Sequence, residues 1–194
     1  MKYILAFFVT FIATAQQTDF VLLKSLSSDF VFDMKYATPD NFLKQAVYEC
    51  GECYLRKKTA EALVKANEEF KTLGYRIKLF DCYRPLEVQK KMWKILPGTH
   101  YVANPAKHNR GAAVDLTLVD KDGKELDMGT PFDFFGEKAH HTCTTLPKKV
   151  LENRKLLKDI LNKYNFKSIY SEWWHYEYRP EMQSKVENFQ WKCE

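Results

Sequence analysis

The sequence predicts a single globular domain of mixed α and β structure. Its 194 residues, 45% hydrophobic and 15% aromatic, suffice for one sizeable core and are few for two. Two long stretches, 56–73 and 147–165, carry apolar residues at helical spacing, and several shorter ones alternate as strands do. No internal repeat, low-complexity tract, phosphate-binding glycine loop or nucleophilic-serine motif interrupts them. The net charge of +5 is carried by lysines spread along the chain, which reads as a solvated surface and not as a nucleic-acid patch.

The first fifteen residues stand apart from that domain. Met1-Lys2 is a short positive start, residues 3–12 are almost wholly apolar, and Ala13-Thr14-Ala15 is an A-x-A cleavage pattern. This predicts a signal peptide over 1–15 and an exported domain over 16–194, periplasmic or secreted. The apolar run is too short for an ordinary membrane span and no lipidation cysteine follows it, so no membrane anchor is expected. Export allows disulfides among Cys50, Cys53, Cys82, Cys143 and Cys193, and the odd number leaves one cysteine over. Cys50-Gly51-Glu52-Cys53 lacks both a second C-x-x-C and a strand-then-helix context, so a structural staple is preferred to redox chemistry. The pairing stays open.

In chain order, Phe30, Phe32 and Met34 alternate with polar or smaller neighbours and predict a short strand. A long surface loop is expected over 37–54. Ala60, Leu63, Val64, Ala66, Phe70 and Leu73 then mark a helix that Gly74 stops. Tyr75, Ile77 and Leu79 alternate through a strand ending in Asp81-Cys82-Tyr83-Arg84-Pro85, where proline opens a helix to Leu96. Arg84 therefore sits at a strand end, where scaffolds present functional groups. Val114, Leu116 and Leu118 predict the next strand, Asp122-Gly123 a turn, and 128–136 a loop carrying Asp133 among aromatics. Val150, Leu157, Ile160 and Leu161 define a second long helix, and 166–178 is read as the last strand.

Two stretches carry chemistry. His108-Asn109-Arg110-Gly111 precedes Asp115 by a turn, and Gly111 lets two side chains seven residues apart converge. Ser171-Glu172-Trp173-Trp174-His175 places a carboxylate and an imidazole three apart among aromatics. Taken alone, the octet 171–178 reads equally as an aromatic core strand. Counted together, His108, Asp115 and His175 make a set that suits zinc with one position open, and Glu172 remains as a base. On a straight strand residues 172 and 175 face opposite ways, so an irregularity is required there. His140-His141 has no spaced partner and is read as structural.

His108-x-x-Gly111-x-Ala113-x-Asp115 followed by Glu172-Trp173-Trp174-His175 resembles the zinc D-alanyl-D-alanine dipeptidases, the group that includes the vancomycin-resistance-type enzymes. Tyr36-Ala37-Thr38-Pro39, Asp81-Cys82-Tyr83-Arg84-Pro85 and Met128-Gly129-Thr130-Pro131-Phe132-Asp133 resemble further family segments in the family's order. The resemblance implies an α+β domain with a central, mostly antiparallel sheet and flanking helices. It implies one zinc ion on His108, Asp115 and His175, with Glu172 as general base and Arg84 at the oxyanion. Asp133 and Tyr36 would meet the substrate, a small D-amino-acid dipeptide whose free ammonium Asp133 would bind. Ala106 and Lys107 depart from serines in that family, as does the signal peptide from its cytoplasmic members. Two alternatives stand beside this reading: a D,D- or L,D-carboxypeptidase or endopeptidase on peptidoglycan peptides, and a secreted binding domain with a structural zinc. Oligomeric state is not read from the sequence.

Overall fold

The computed structural model describes residues 19–98, 102–103 and 105–193. The expected signal peptide lies outside them. Seven strands and four α-helices follow in the order β1 (Phe20–Leu22), α1 (Leu23–Leu26), β2 (Val31–Phe32), β3 (Tyr54–Arg56), α2 (Lys57–Thr72), β4 (Arg76–Asp81), α3 (Leu86–Ile95), β5 (Ala113–Val119), α4 (Lys148–Lys163), β6 (Phe166–Ser168) and β7 (His175–Tyr178). Five strands form one sheet in the order β2-β4-β5-β7-β6, and β1 pairs with β3 in a separate ribbon. Only β2 with β4 is parallel, so the sheet is mostly antiparallel, as expected.

The central strand β5 is buried along its whole length, its polar Asp115 and Thr117 included. The long helices form where apolar residues recur every three or four positions. Leu63, Ala66 and Phe70 of α2 are buried, as are Val150, Leu157 and Leu161 of α4, and the two helices pack against each other and the sheet. Each large side chain buried this way stabilises the fold by roughly 1.5–3 kcal/mol. Gly74 ends α2 with φ +82°, and Pro85 precedes α3.

Three expectations are corrected. The strand at Phe30 to Met34 shrinks to two residues; Phe30 and Met34 are buried while Phe32 is exposed, because parallel pairing with β4 ends after Phe32. The loop over 37–54 is not simply a surface loop. Leu43, Val47 and Tyr48 turn inward and build a second small core with Tyr36 and Met92. Finally, 166–178 is two strands, since β6 folds back antiparallel on β7 and residues 169–174 connect them. Trp173 and Trp174 in that connection are buried side chains of the main core, and Trp173 Nε1 donates to Thr130 Oγ1 at 2.8 Å. Their attraction to the core bends a run that alternation alone would leave straight.

Candidate active site

The site lies across the ends of three neighbouring strands. Asp115 of β5 pairs with Asp81 of β4 on one side and His175 of β7 on the other. His108 joins them from a 3-10 turn, Lys107–Arg110, whose C-terminal residue is followed by Gly111 in the left-handed region at φ +69° and ψ +20°. A Cβ on Gly111 would stand 2.4 Å from Phe20 Cε1, so the turn needs glycine for both its angle and its space. That turn is the convergence device expected between His108 and Asp115.

Ligand atoms of three residues meet here. His108 Nε2 and His175 Nδ1 are 3.2 Å apart, His175 Nδ1 is 2.9 Å from Asp115 Oδ1, and His108 Nε2 is 3.3 Å from Asp115 Oδ2. Zinc ligands at about 2.0–2.1 Å in tetrahedral arrangement stand roughly 3.3 Å from one another, so the spacing fits such an ion. The outer contacts agree. His108 Nδ1–H donates to the Cys82 carbonyl at 2.7 Å, which leaves Nε2 unprotonated towards the cluster. On the far side of His175, Nε2 faces Glu177 Oε1 at 3.5 Å. Burial works against a charged His175, yet Asp115 and Glu177 hold it up to about 10, so the cluster favours positive charge between its members. Burial also opposes ionisation of Asp115, and the imidazole of His108 overrides it and keeps that carboxyl below its usual range.

Glu172 sits in the connection before β7, with Oε2 3.9 Å from His175 Nδ1. Because it precedes the strand, the alternation of faces does not apply to it, and the three-residue spacing needs no bulge within β7. Among the described residues its carboxylate takes no hydrogen bond, and burial raises its pKa.

Arg84 lies three residues beyond the end of β4 and is buried. Its guanidinium donates to Asp81 Oδ2 at 2.6 Å and to Gln89 Oε1 at 2.9 Å, and it stacks over the Tyr36 ring at 5.1 Å. Nε has no partner among the described residues. A buried donor of this kind is costly unless an acceptor arrives. Tyr36 donates its hydroxyl to Asp133 Oδ2 at 2.9 Å, and Asp133 occupies the left-handed region at φ +57°. Burial, reinforced by the charge of Asp115, raises the Asp133 pKa well above the usual carboxylate range. All seven predicted residues line one cavity of about 300 Å³. Lys107 lines it too, while its neighbour Ala106 is buried in the wall.

Three contributors escaped the sequence. Glu177 had a legible signal, since it is two residues from His175 and shares its strand face. Asp81 and Gln89, which hold Arg84, stand three and five residues from it, so their nearness is legible in the sequence and only their grip on the guanidinium needed the fold. His140 and His141 stay outside the cluster: His140 packs at a tilt against Tyr170 and His141 meets Tyr176 edge-on.

Two imidazoles and a carboxylate at metal-ligand spacing, with a spare carboxylate and a buried arginine in the same cavity, are the equipment of a metal-dependent hydrolase. The family model described as D-ala-D-ala dipeptidase matches residues 16–191. The chain is 36% identical over 163 residues to the D-alanyl-D-alanine dipeptidase of Escherichia coli K12, covering 82% of this chain and 84% of that one. It is 34% identical over 186 residues to the Enterococcus faecium D-alanyl-D-alanine dipeptidase, covering 84% and 92%. A solved vancomycin-resistance D,D-dipeptidase in complex with a D-Ala-D-Ala phosphinate analogue aligns with TM-score 0.41 and 24% identity, over 67% of this chain and 52% of that one. The chain belongs to the D-ala-D-ala dipeptidase family of peptidases.

Proposed function

We propose that this chain is a zinc-dependent dipeptidase that hydrolyses D-Ala-D-Ala to two molecules of D-alanine. The observation that carries the reading is one cavity holding a convergent His108, Asp115 and His175 set, an uncommitted Glu172, an Arg84 with an unpaired Nε–H, and a buried Asp133. The names of the relatives at 36% and 34% identity support the substrate.

His108 Nε2, Asp115 and His175 Nδ1 would hold the ion. Zinc bound there would act as a Lewis acid on the scissile carbonyl and lower the pKa of a water molecule. Glu172 takes the proton from the attacking water and returns it to the departing amine. Burial raises its pKa, which suits a group that must return the proton as well as take it. Arg84, whose Nε–H has no partner among the described residues, would supply that donor to the oxygen that becomes negative, and Asp81 and Gln89 hold the guanidinium still while charge develops. Asp133, positioned by Tyr36, receives the substrate ammonium, and the incoming charge offsets the burial that otherwise disfavours its ionised form. A longer peptide blocked at its amino group would leave that carboxylate buried without a counter-charge, which favours the free dipeptide over N-blocked chains.

Export completes the reading. Cys50–Cys193 and Cys53–Cys82 are bridged, which suits an oxidising compartment and the A-x-A pattern at 13–15, and Cys143 is the cysteine left over. The test is D-alanine release by the purified chain from D-Ala-D-Ala and from its N-acetyl derivative, with and without a chelator, with zinc content measured alongside. Chelator-reversible cleavage of the free dipeptide is expected. Cleavage of only the acylated substrate would replace the dipeptidase reading with a carboxypeptidase one, and bound zinc with no hydrolysis would leave a binding domain.

A further inference from the structure

The Cys53–Cys82 bridge joins two parts of the molecule that share no strand. Cys53 immediately precedes β3 of the two-stranded ribbon, and Cys82 immediately follows β4 of the main sheet. Both cysteines are buried. Past Asp81 the chain leaves the main sheet, and Tyr83 N–H, donating to the Tyr54 carbonyl of β3 at 2.9 Å, ties residues 82–85 to the ribbon. This segment hands the site several of its controlling groups. The Cys82 carbonyl accepts the His108 Nδ1–H at 2.7 Å. The Arg84 backbone N–H donates to the His108 carbonyl at 3.1 Å, and Asn109 Nδ2 donates to the Arg84 carbonyl at 2.8 Å. Asp81, on the other side of Cys82, binds the Arg84 guanidinium and the Tyr48 hydroxyl.

We propose that the Cys53–Cys82 disulfide is a positioning element of the metal site, which holds the Cys82 carbonyl where it sets the tautomer and orientation of His108. The inference rests on the reading of His108 as a ligand. A ligating imidazole depends on the acceptor behind it, and loss of such an acceptor typically lowers metal affinity about 10- to 100-fold. With the bridge open, the Tyr83 N–H donation to the Tyr54 carbonyl at 2.9 Å still tethers the segment. The fold can therefore persist while the carbonyl gains freedom. Opening requires an external dithiol, which supplies two electrons and two protons, leaves two cysteine thiols and becomes a disulfide itself. Metal affinity would thus be coupled to oxidation, so that the chain binds its ion tightly only after reaching an oxidising compartment. The other bridge, Cys50–Cys193, ties the C-terminal tail to the loop before β3 and supplies no group to the ligand set.

The experiment is zinc titration of metal-free protein against a chromophoric chelator, for the parent, Cys53→Ala/Cys82→Ala and Cys50→Ala/Cys193→Ala, with far-UV circular dichroism of each. The first double variant is expected to keep its fold and lose about 10- to 100-fold in zinc affinity, with saturating zinc restoring part of its turnover, while the second changes less than about threefold. A folded Cys53→Ala/Cys82→Ala protein with parental zinc affinity would overturn the proposal. Failure of the parent itself to bind zinc would instead sink the metalloenzyme reading. Should Cys53→Ala/Cys82→Ala not fold, the zinc-loaded Cys50→Ala/Cys193→Ala protein is reduced, and zinc transfer is followed beside tryptophan fluorescence. Zinc release ahead of unfolding supports the proposal, and release only in step with unfolding refutes it.

Discussion

Replacing Glu172 by glutamine separates chemistry from architecture more cleanly than any other substitution in this site. The side chain is 31% exposed, takes no hydrogen bond among the described residues, and lies 3.9 Å from its nearest imidazole nitrogen. Little structure is lost with the charge. Burial already raises the Glu172 pKa, so the fold slightly disfavours the ionised form that glutamine removes. Stability should therefore stay within about 0.5 kcal/mol of the parent, with any change towards stabilisation. Turnover should behave differently, because a positioned proton carrier contributes about 100- to 10,000-fold, or about 2.7 to 5.4 kcal/mol of barrier. D-alanine release from D-Ala-D-Ala gives the rate, and zinc content with thermal unfolding gives the controls. A Glu172→Gln protein that keeps zinc and loses less than tenfold in kcat would show that another group carries the proton.

Other substitutions probe other parts of the same cavity. Arg84→Met should abolish measurable turnover and also lower Tm on the order of 10 °C, because it leaves the fully buried Asp81 carboxylate without its cation, a loss of about 3–5 kcal/mol; adding Asp81→Asn should recover much of the stability and none of the activity. Asp133→Asn should cut kcat/KM for the free dipeptide about 10- to 100-fold while leaving any cleavage of an N-acetylated dipeptide nearly unchanged, which a side-by-side assay reads directly. Gly111→Ala combines a positive φ with a 2.4 Å approach to Phe20, and urea unfolding should show a loss of at least about 2 kcal/mol. His141 is lowered to about 4 by burial and by the nearby charges of Lys158 and Arg154. Its neutral form is favoured in the fold, so this contribution to stability is complete above about pH 6.5 and is lost as pH falls towards 4. Thermal melts of the parent should show that acid-side decline, and His141→Gln should flatten it.

Much of the site was legible in the sequence because its donors are chemically distinctive and locally patterned. The helical spacing in α2 and α4 and the glycine before β5 follow from local sterics and amphipathicity, which a linear pattern records. His108, Asp115, Glu172 and His175 could be counted as a ligand set with a spare base without knowing where they meet. The last strand was misread for a physical reason. The aromatic-rich run over 166–178 looks like one strand, but burial of Trp173 and Trp174 turns the chain and makes a β6–β7 pair. That turn places Glu172 off the strand and resolves a spacing that had appeared to need a bulge.

The sequence by itself determined the elements and the chemical inventory, since periodicity, turn residues and donor types are properties of neighbours along the chain. Tertiary structure alone decided the row Asp81–Asp115–His175 across three strands, the carbonyl of Cys82 behind His108, and which cysteines pair. Each of these joins residues from separate elements, so its energy depends on strand order and register, and these are set by the collective burial of the core.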